Sequence, residues 1–289
     1  MYGRTVKPGN KVSIKHLETD RPDAIEKEVG EAVFGEYARE IGELQELLFA
    51  AGTHSLLVIF QGMDTSGKDG ATKEVFREVN PSGCRVTSFG VPTEDELAHD
   101  FLWRIHQKTP ARGQIVVFNR SQYEDVLVVR VHDLAPKEVW SKRYDQINAF
   151  EKLLTDTNTI VLKFFLHISR QEQEERLLKR EQDPVKSWKL SVGDWKERTH
   201  WPDYQNAYED VLNKCSAAHA PWHVIPADQK WFRNLAISEI VVTELRKHRD
   251  DWESHLAQLS KTQAAALAEA RKDGTIPMPT QRAVKAVGD

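Results

Sequence analysis

Five short apolar runs are spaced along the chain, with helix-periodic segments between them. The runs SLLVIF (55–60), CRVTSF (84–89), QIVVFNR (114–120), TIVLKFFLHI (159–168) and PWHVIPA (221–227) are rich in β-branched and aromatic residues and have strand length. Upstream of the first, FGEYAREIGELQELLFAAG (34–52) predicts an amphipathic helix. EDELAHDFLWRIHQ (94–107) predicts another, with Leu97, Phe101, Leu102 and Ile105 on one side. Further helices are predicted over 136–154, from Ser169 onward, and after the fifth run as far as His248. Strands alternating with helices predict an α/β protein whose parallel sheet is covered on both faces.

The residues that join the first run to its helix sharpen this picture. GMDTSGKDG (62–70) sets Gly62, Gly67 and Lys68 in the Walker A arrangement, two glycines separated by four residues and followed by lysine. Between a strand and a helix, such a loop closes its backbone N–H groups around phosphate oxygens, and the helix N-terminus adds positive potential. Gly62, Thr65, Ser66, Gly67, Lys68, Asp69 and Gly70 are therefore candidate phosphate-binding residues. The fold expected is a P-loop NTPase-type three-layer α/β fold with a five-stranded parallel sheet, thymidylate-kinase-like in layout, with a helical lid. The kinase domain is expected over 31–250, after a polar, partly ordered extension (1–30) and before a C-terminal helix with a disordered tail (251–289).

Two aspartates depart from the usual loop. Asp69 stands where Ser or Thr ordinarily ligates magnesium, and Asp64 lies inside the loop. A bare carboxylate beside a polyphosphate is repelled by ~4 kcal/mol per close charge pair at an effective dielectric of about 20. A bridging divalent cation reverses that sign, because carboxylate and phosphate oxygens are both hard ligands. Asp64 is thus the candidate metal ligand and Asp69 a candidate helix cap; capping by both aspartates is the competing reading.

With 289 residues, 40% of them hydrophobic and 29% charged, the chain can bury a large core. Cys84 and Cys215 are too few for a disulfide framework or a zinc site. No apolar signal core and no run of 18 apolar residues is present, so a cytoplasmic protein without membrane association is expected. A net charge of −4 argues against broad nucleic-acid binding, and a polyanionic substrate then needs a local basic patch. RLLKREQDPVKSWKLSVGDWKERTH (176–200) supplies one, with seven basic residues against four acidic. A solvated charged face is the plain reading of such a run. Its place after the fourth strand is where nucleotide kinases carry a lid, which makes Arg176, Arg180, Lys186 and Lys189 candidate phosphate contacts, with Arg176 and Arg180 on one helix face.

The third strand runs into VVFNRSQYEDVLVVRVH. Its tip faces the glycine loop in P-loop proteins. Asn119 can offer an amide oxygen to a metal, Arg120 can neutralise a transferring phosphoryl group, Arg130 is a further phosphate candidate, and Glu124 is a metal or acceptor-site candidate. A helix-starting role for Glu124 and Asp125 stays open. Between the second strand and its helix, Thr93 and Glu96 have capping-box spacing. Phe89, Gly90, Val91, Pro92 and Thr93 form a candidate base-recognition edge, with Arg85 and Arg104 for an acceptor phosphate; a simple turn is the equal alternative.

The segments GMDTSGKDG, NPSGCRVTSFGVPTEDELAHDFLWR, VVFNRSQYEDVLVVRVH, KRYDQINAFEKLL, VLKFFLHIS and WKLSVGDWKER, in this order within residues 30–245, resemble the polyphosphate kinase 2 family, and most closely its class III branch. The resemblance implies Mg²⁺-dependent transfer of the terminal phosphoryl group of inorganic polyphosphate to nucleoside mono- and diphosphates, AMP to ADP and then ATP, with Mn²⁺ as a substitute ion and guanine nucleotides as further acceptors. It implies Asp64 at the metal, Lys68 and the loop on phosphates, Arg120 and Arg180 at the transferring group, Glu124 with monophosphate acceptance, and a homo-oligomer, dimer or tetramer. Asn119 departs from the aspartate of other branches. An ATP-dependent nucleoside monophosphate kinase and a non-catalytic nucleotide or polyphosphate sensor are the competing functions.

Overall fold

A computed structural model describes residues 2–21, 25–182 and 192–279. All five expected strands form: β2 (Ser55–Gln61), β3 (Cys84–Ser88), β4 (Ile115–Asn119), β5 (Thr159–His167) and β6 (Trp222–Pro226). A sixth, β1 (Arg4–Thr5), precedes them. The sheet order is β1-β6-β5-β2-β4-β3, parallel from β6 to β3, and only β1 runs antiparallel, pairing Arg4 with Val224 and Thr5 with His223. β2 and β5 are buried at every position, which is why both read as unbroken apolar runs rather than as alternating strands.

The helices are α1 (Lys27–Ala51), α2 (Lys68–Val75), the single turns α3 (Glu94–Leu97), α4 (Trp103–His106), α5 (Val128–Val131) and α6 (Lys137–Trp140), then α7 (Arg143–Asp156), α8 (Arg170–Glu181), α9 (Val192–Thr199), α10 (Trp201–Lys214), α11 (Lys230–Arg246) and α12 (Arg249–Lys272). α1 ends on Gly52 at φ 60°, whose N–H returns to the Leu48 carbonyl at 3.1 Å, and the chain turns directly into β2. α1 packs on α11 and α12, and α7 on β5. β2 lies between β4 and β5, where the strand order reverses, so the loop at its carboxyl end opens over the crevice used by ligands in such sheets.

Three expectations are corrected. The first 30 residues are not peripheral to the core: Val6, Val12, Ile14 and Leu17 are buried in it, and Asn213 holds the strap by accepting the Val12 N–H at 2.8 Å and donating to the Val12 carbonyl at 2.9 Å. The helix expected over 94–107 is two separate turns. The Thr93–Glu96 capping box starts the first as predicted, but the Asp100 carboxylate then accepts the Leu102 N–H at 2.9 Å and restarts the chain, leaving Leu97 exposed and Ile105 buried. The helix expected over 136–154 likewise divides into α6 and α7. α12 is helical as expected, with Trp252 its buried anchor, while residues 280–289 of the expected tail lie outside the described residues.

Candidate active site

The glycine loop leaves β2 at Gln61 and enters α2 at Lys68. Thr65 (φ 63°) and Gly67 (φ 97°) adopt the left-handed region, and Gly67 is the N-cap of α2. A side chain at 67 would be strained by that φ and would drive its Cβ to 2.1 Å from Nη1 of Arg233. Lys68 is buried and folds back over the loop, donating to the carbonyls of Gly62 (2.9 Å) and Met63 (3.2 Å). Burial lowers its pKa, and the charge of Arg120 lowers it further. The Oγ1 of Thr65 and the Oγ of Ser66 are buried without a hydrogen-bond partner. Two orphaned hydroxyls beside a buried lysine are what an anion's oxygens would satisfy.

The tip of β4 supplies the opposing wall. Arg120, at φ 64°, hydrogen-bonds through its N–H to the Phe60 carbonyl, which fixes β4's exit beside the loop. Its guanidinium reaches Asp64 at 2.7 Å and Glu124 at 3.4 Å, while Gln61 donates to the other Glu124 oxygen at 3.1 Å. Glu124 first, and then Asp64, raise the pKa of Arg120 against the opposing effect of burial. Next to it the Asn119 amide nitrogen donates to the Asp69 carboxylate. Asp69, a departure from the usual loop, thus meets Asn119, the departure at the strand tip. Asp69 stands in the first turn of α2, where a negative charge suits the helix dipole, and Gly67 occupies the N-cap position.

α8 grips the loop from outside. Gln173 donates to the Asp64 carbonyl at 3.1 Å, and Arg176 to the carbonyls of Thr65 (2.9 Å), Ala227 (2.6 Å) and Asp228 (3.0 Å). One turn later Arg180 pairs with Asp194 of α9 at 2.7 Å. The resulting cleft, of about 430 Å³, is lined by Asp64, Thr65, Gly67, Lys68, Asp69, Asn119, Arg120, Arg180 and Asp194. Burial, and then the charge of Asp64, raise the pKa of Asp194. Behind Arg120 a pocket of about 20 Å³, room for one water, lies among Glu124, Gln173, Glu197, Tyr204 and Tyr208.

Comparison with known proteins decides the family. The family model described as Polyphosphate kinase 2 (PPK2) matches residues 24–252. The chain belongs to the polyphosphate kinase 2 family. It is 50% identical over 242 residues to an AMP/ADP-polyphosphate phosphotransferase of Meiothermus ruber, covering 83% of this chain and 91% of that one. It is 45% identical over 213 residues to an ADP-polyphosphate phosphotransferase of Rhodopseudomonas palustris, covering 70% and 74%. The crystal structure of polyphosphate kinase 2 from Arthrobacter aurescens TC1 superposes with a TM-score of 0.82 at 39% identity, covering 86% of this chain and 91% of that one.

On this polyphosphate kinase 2 fold, the candidates read from sequence divide into those the cleft gathers and those it does not. Asp64, Thr65, Gly67, Lys68, Asp69, Asn119, Arg120 and Arg180 line the cleft, Gly62 and Glu124 line the small pocket behind Arg120, and Ser66 and Gly70 line neither. Arg176 does not share the direction of Arg180: its guanidinium is buried under the loop as a strut. Arg130 turns to Asp210 (2.6 Å) and Tyr144 (3.2 Å) and stacks on Trp140, away from the cleft lining. Arg85 donates to the Lys108 carbonyl at 3.0 Å. Arg104 is buried, donates to the Gly90 carbonyl at 3.0 Å and braces the turn rather than facing an acceptor. Phe89 packs edge-on to Phe118 in the core, so it offers no open face to a base, whereas Val91 is 93% exposed between Gly90 and Pro92. Lys186 and Lys189 lie outside the described residues. Sequence reading missed Gln173, Asp194, Glu197, Tyr204 and Tyr208. Their only local signal was polar or aromatic side chains recurring on one side of α8, α9 and α10.

Proposed function

We propose that this chain is a polyphosphate-dependent nucleotide kinase that transfers the terminal phosphoryl group of inorganic polyphosphate to AMP and ADP. One observation carries the reading: the cations of the glycine loop, the β4 tip and α8 converge with Asp64 on a single open cleft in a chain of the polyphosphate kinase 2 family. An acceptor phosphate oxygen attacks the terminal phosphorus of the chain, the bridging P–O bond breaks, and the polyphosphate leaves one unit shorter. Because the acceptor phosphate is ionised at neutral pH, with a second pKa of about 6, the nucleophile needs no general base. Catalysis is then positioning and charge neutralisation.

Lys68 and the loop amides hold the donor phosphates. Arg120 spans donor and acceptor and stabilises the group in flight, and Arg180 closes the cleft from α8. Glu124 holds Arg120 on the acceptor side and contributes to acceptance of monophosphates. The reaction uses a divalent cation, for which Mg²⁺ is the expected ion and Mn²⁺ a substitute. Among the described residues no cluster of three or more His, Cys, Asp or Glu forms a cage. The hard oxygens of Asp64 and of the Asp69–Asn119 pair nevertheless fit an ion held by one or two carboxylates together with substrate phosphates. When bound, that ion neutralises phosphate charge and links it to the acidic wall. Guanine nucleotides as acceptors, and a dimeric or tetrameric assembly, belong to the same proposal.

The test is a matrix of donors, polyphosphate and ATP, against AMP, ADP, GMP and GDP with Mg²⁺. ATP formed from AMP or ADP with polyphosphate alone is the expected result. Turnover of AMP with ATP and none with polyphosphate would make the chain an ATP-dependent kinase. Binding without turnover, unchanged by Asp64→Ala, would make it a sensor.

A further inference from the structure

Arg233, in the first turn of α11, is a buried cation to which the foregoing roles give no task. It is 2% exposed, and its Nε and Nη2 both donate to the neutral side chain of Asn234, at 3.1 and 2.7 Å. No carboxylate lies within ion-pair distance of it among the described residues; Glu74 of α2 acts on it only through space, and Arg176 opposes that. The guanidinium lies against the glycine loop: a Cβ built at Gly67 would meet Nη1 at 2.1 Å, and one at Gly70 would meet Nη2 at 3.3 Å. Nη1 of Arg176 is 3.5 Å from the same point at Gly67. Two arginines therefore back the loop without lining the cleft. Burial and Arg176 bring the pKa of Arg233 down to about 10, so it is still charged at neutral pH.

A buried guanidinium without an acid is unfavourable on its own. Glycine at 67 and 70 lets it come close enough to be felt on the other side of a single layer of backbone. We propose that Arg233 is a positioning residue whose counter-ion is the phosphate chain itself: from behind the loop it raises the positive potential at the donor site, and donor binding relieves its isolation. This rests on the reading that the loop binds phosphates. It adds that tight donor binding depends on a charge that never touches the donor and that the ligand-free fold carries at a loss.

The experiment compares wild type, Arg233→Met, Arg233→Lys and Asn234→Asp. Each is tested for thermal unfolding with and without inorganic tripolyphosphate plus Mg²⁺, and for initial rate against polyphosphate concentration. Arg233→Met is expected to keep or raise the ligand-free midpoint, to lose most of the tripolyphosphate-induced rise, and to increase KM for polyphosphate roughly 10-fold or more. Arg233→Lys should recover most of both. Asn234→Asp, nearly isosteric, gives Arg233 a resident counter-ion: the ligand-free midpoint should rise and the tripolyphosphate response shrink. A midpoint that falls in Arg233→Met while its tripolyphosphate response stays at the wild-type size, or an Asn234→Asp response equal to wild type, overturns the proposal. Should Arg233→Met fail to fold, Asn234→Asp alone decides. A wild-type protein indifferent to tripolyphosphate sinks the phosphate reading of the loop, and the role of Arg233 with it.

Discussion

Lys163 and Lys68 are both buried lysines at parallel strands of one sheet, yet they are neutralised in opposite ways. Lys163, on β5, donates to the Glu151 carboxylate (2.6 Å), the Tyr123 hydroxyl (2.9 Å) and the Cys215 carbonyl (2.6 Å), so all three of its protons are used within the core. Lys68, at the end of the β2 loop, has two backbone carbonyls and, among the described residues, no carboxylate within ion-pair distance, while two neighbouring hydroxyls go unpaired. The first ammonium is part of the fold. The second is set by the fold beside unpaired hydroxyls, and in the proposed function substrate phosphates complete it. A lysine's burial therefore says little about its role, and the identity of its counter-ion says most.

The comparison breaks most visibly if Lys68→Ala leaves turnover intact. Its removal is expected to lower kcat/KM by about 10³ or more, roughly 4 kcal/mol of transition-state stabilisation, with the urea midpoint of the ligand-free protein unchanged or raised. Glu151→Gln should do the reverse. Stranding Lys163 in the core is expected to lower stability by about 3–5 kcal/mol in urea titrations, with activity per folded molecule preserved. The double variant Lys163→Met/Glu151→Leu should regain much of that loss, as apolar replacement of a buried pair usually does.

Two other buried bases, whose burial outweighs the pull of Asp228 on one of them, His167, sharpen the contrast through pH. Burial takes His167 and His223 down to about 4, Lys163 adding to the effect on His223. Between pH 6.5 and 4 the unfolded chain takes up these two protons and the folded chain does not, so stability falls on acidification by up to ~1.4 kcal/mol per pH unit for each. Asp125, which burial raises to about 6, works oppositely over pH 6 to 3.8, because the folded state keeps a proton that the unfolded state releases. The net expectation is a decline of ~1.4 kcal/mol per unit, removed in His223→Gln, measured by chemical denaturation across that window. The smallest effect marks the exposed extreme. Arg246 and Glu40 form a two-pronged pair joining α11 to α1 at 2.6 and 2.7 Å, and Arg246→Ala is expected to lower stability by less than ~1 kcal/mol, with the difference shrinking in high salt.

Much of this was legible in the chain because the informative features are local. The five parallel strands are apolar runs, and the Walker spacing, the Thr93–Glu96 capping box and the helix leading into β2 all lie within short windows. What escaped depends on distant residues. β1 is two residues long, too short to show a period, and exists because β6 offers it an edge. The break at Asp100 is decided by one side chain competing for a backbone N–H. Arg130, Arg104 and Phe89 have the right chemistry for a phosphate or base site, but long-range partners claim them: Asp210, the Gly90 carbonyl and Phe118. Conversely, Asp194 and Arg233 reach the loop from elements more than a hundred residues downstream. Arg233 left a trace, a charged residue set between the apolar Phe232 and the apolar run Leu235–Ile237.

The amino-terminal strap has a practical consequence. β6 would otherwise present a bare backbone edge to solvent, and such edges recruit strands from other molecules. The partner that covers it is synthesised long before β6, which appears only after residue 221, so this seam closes late. Fusions or cleavages near the start of the chain are thus expected to show up as self-association on storage long before they show up as altered turnover.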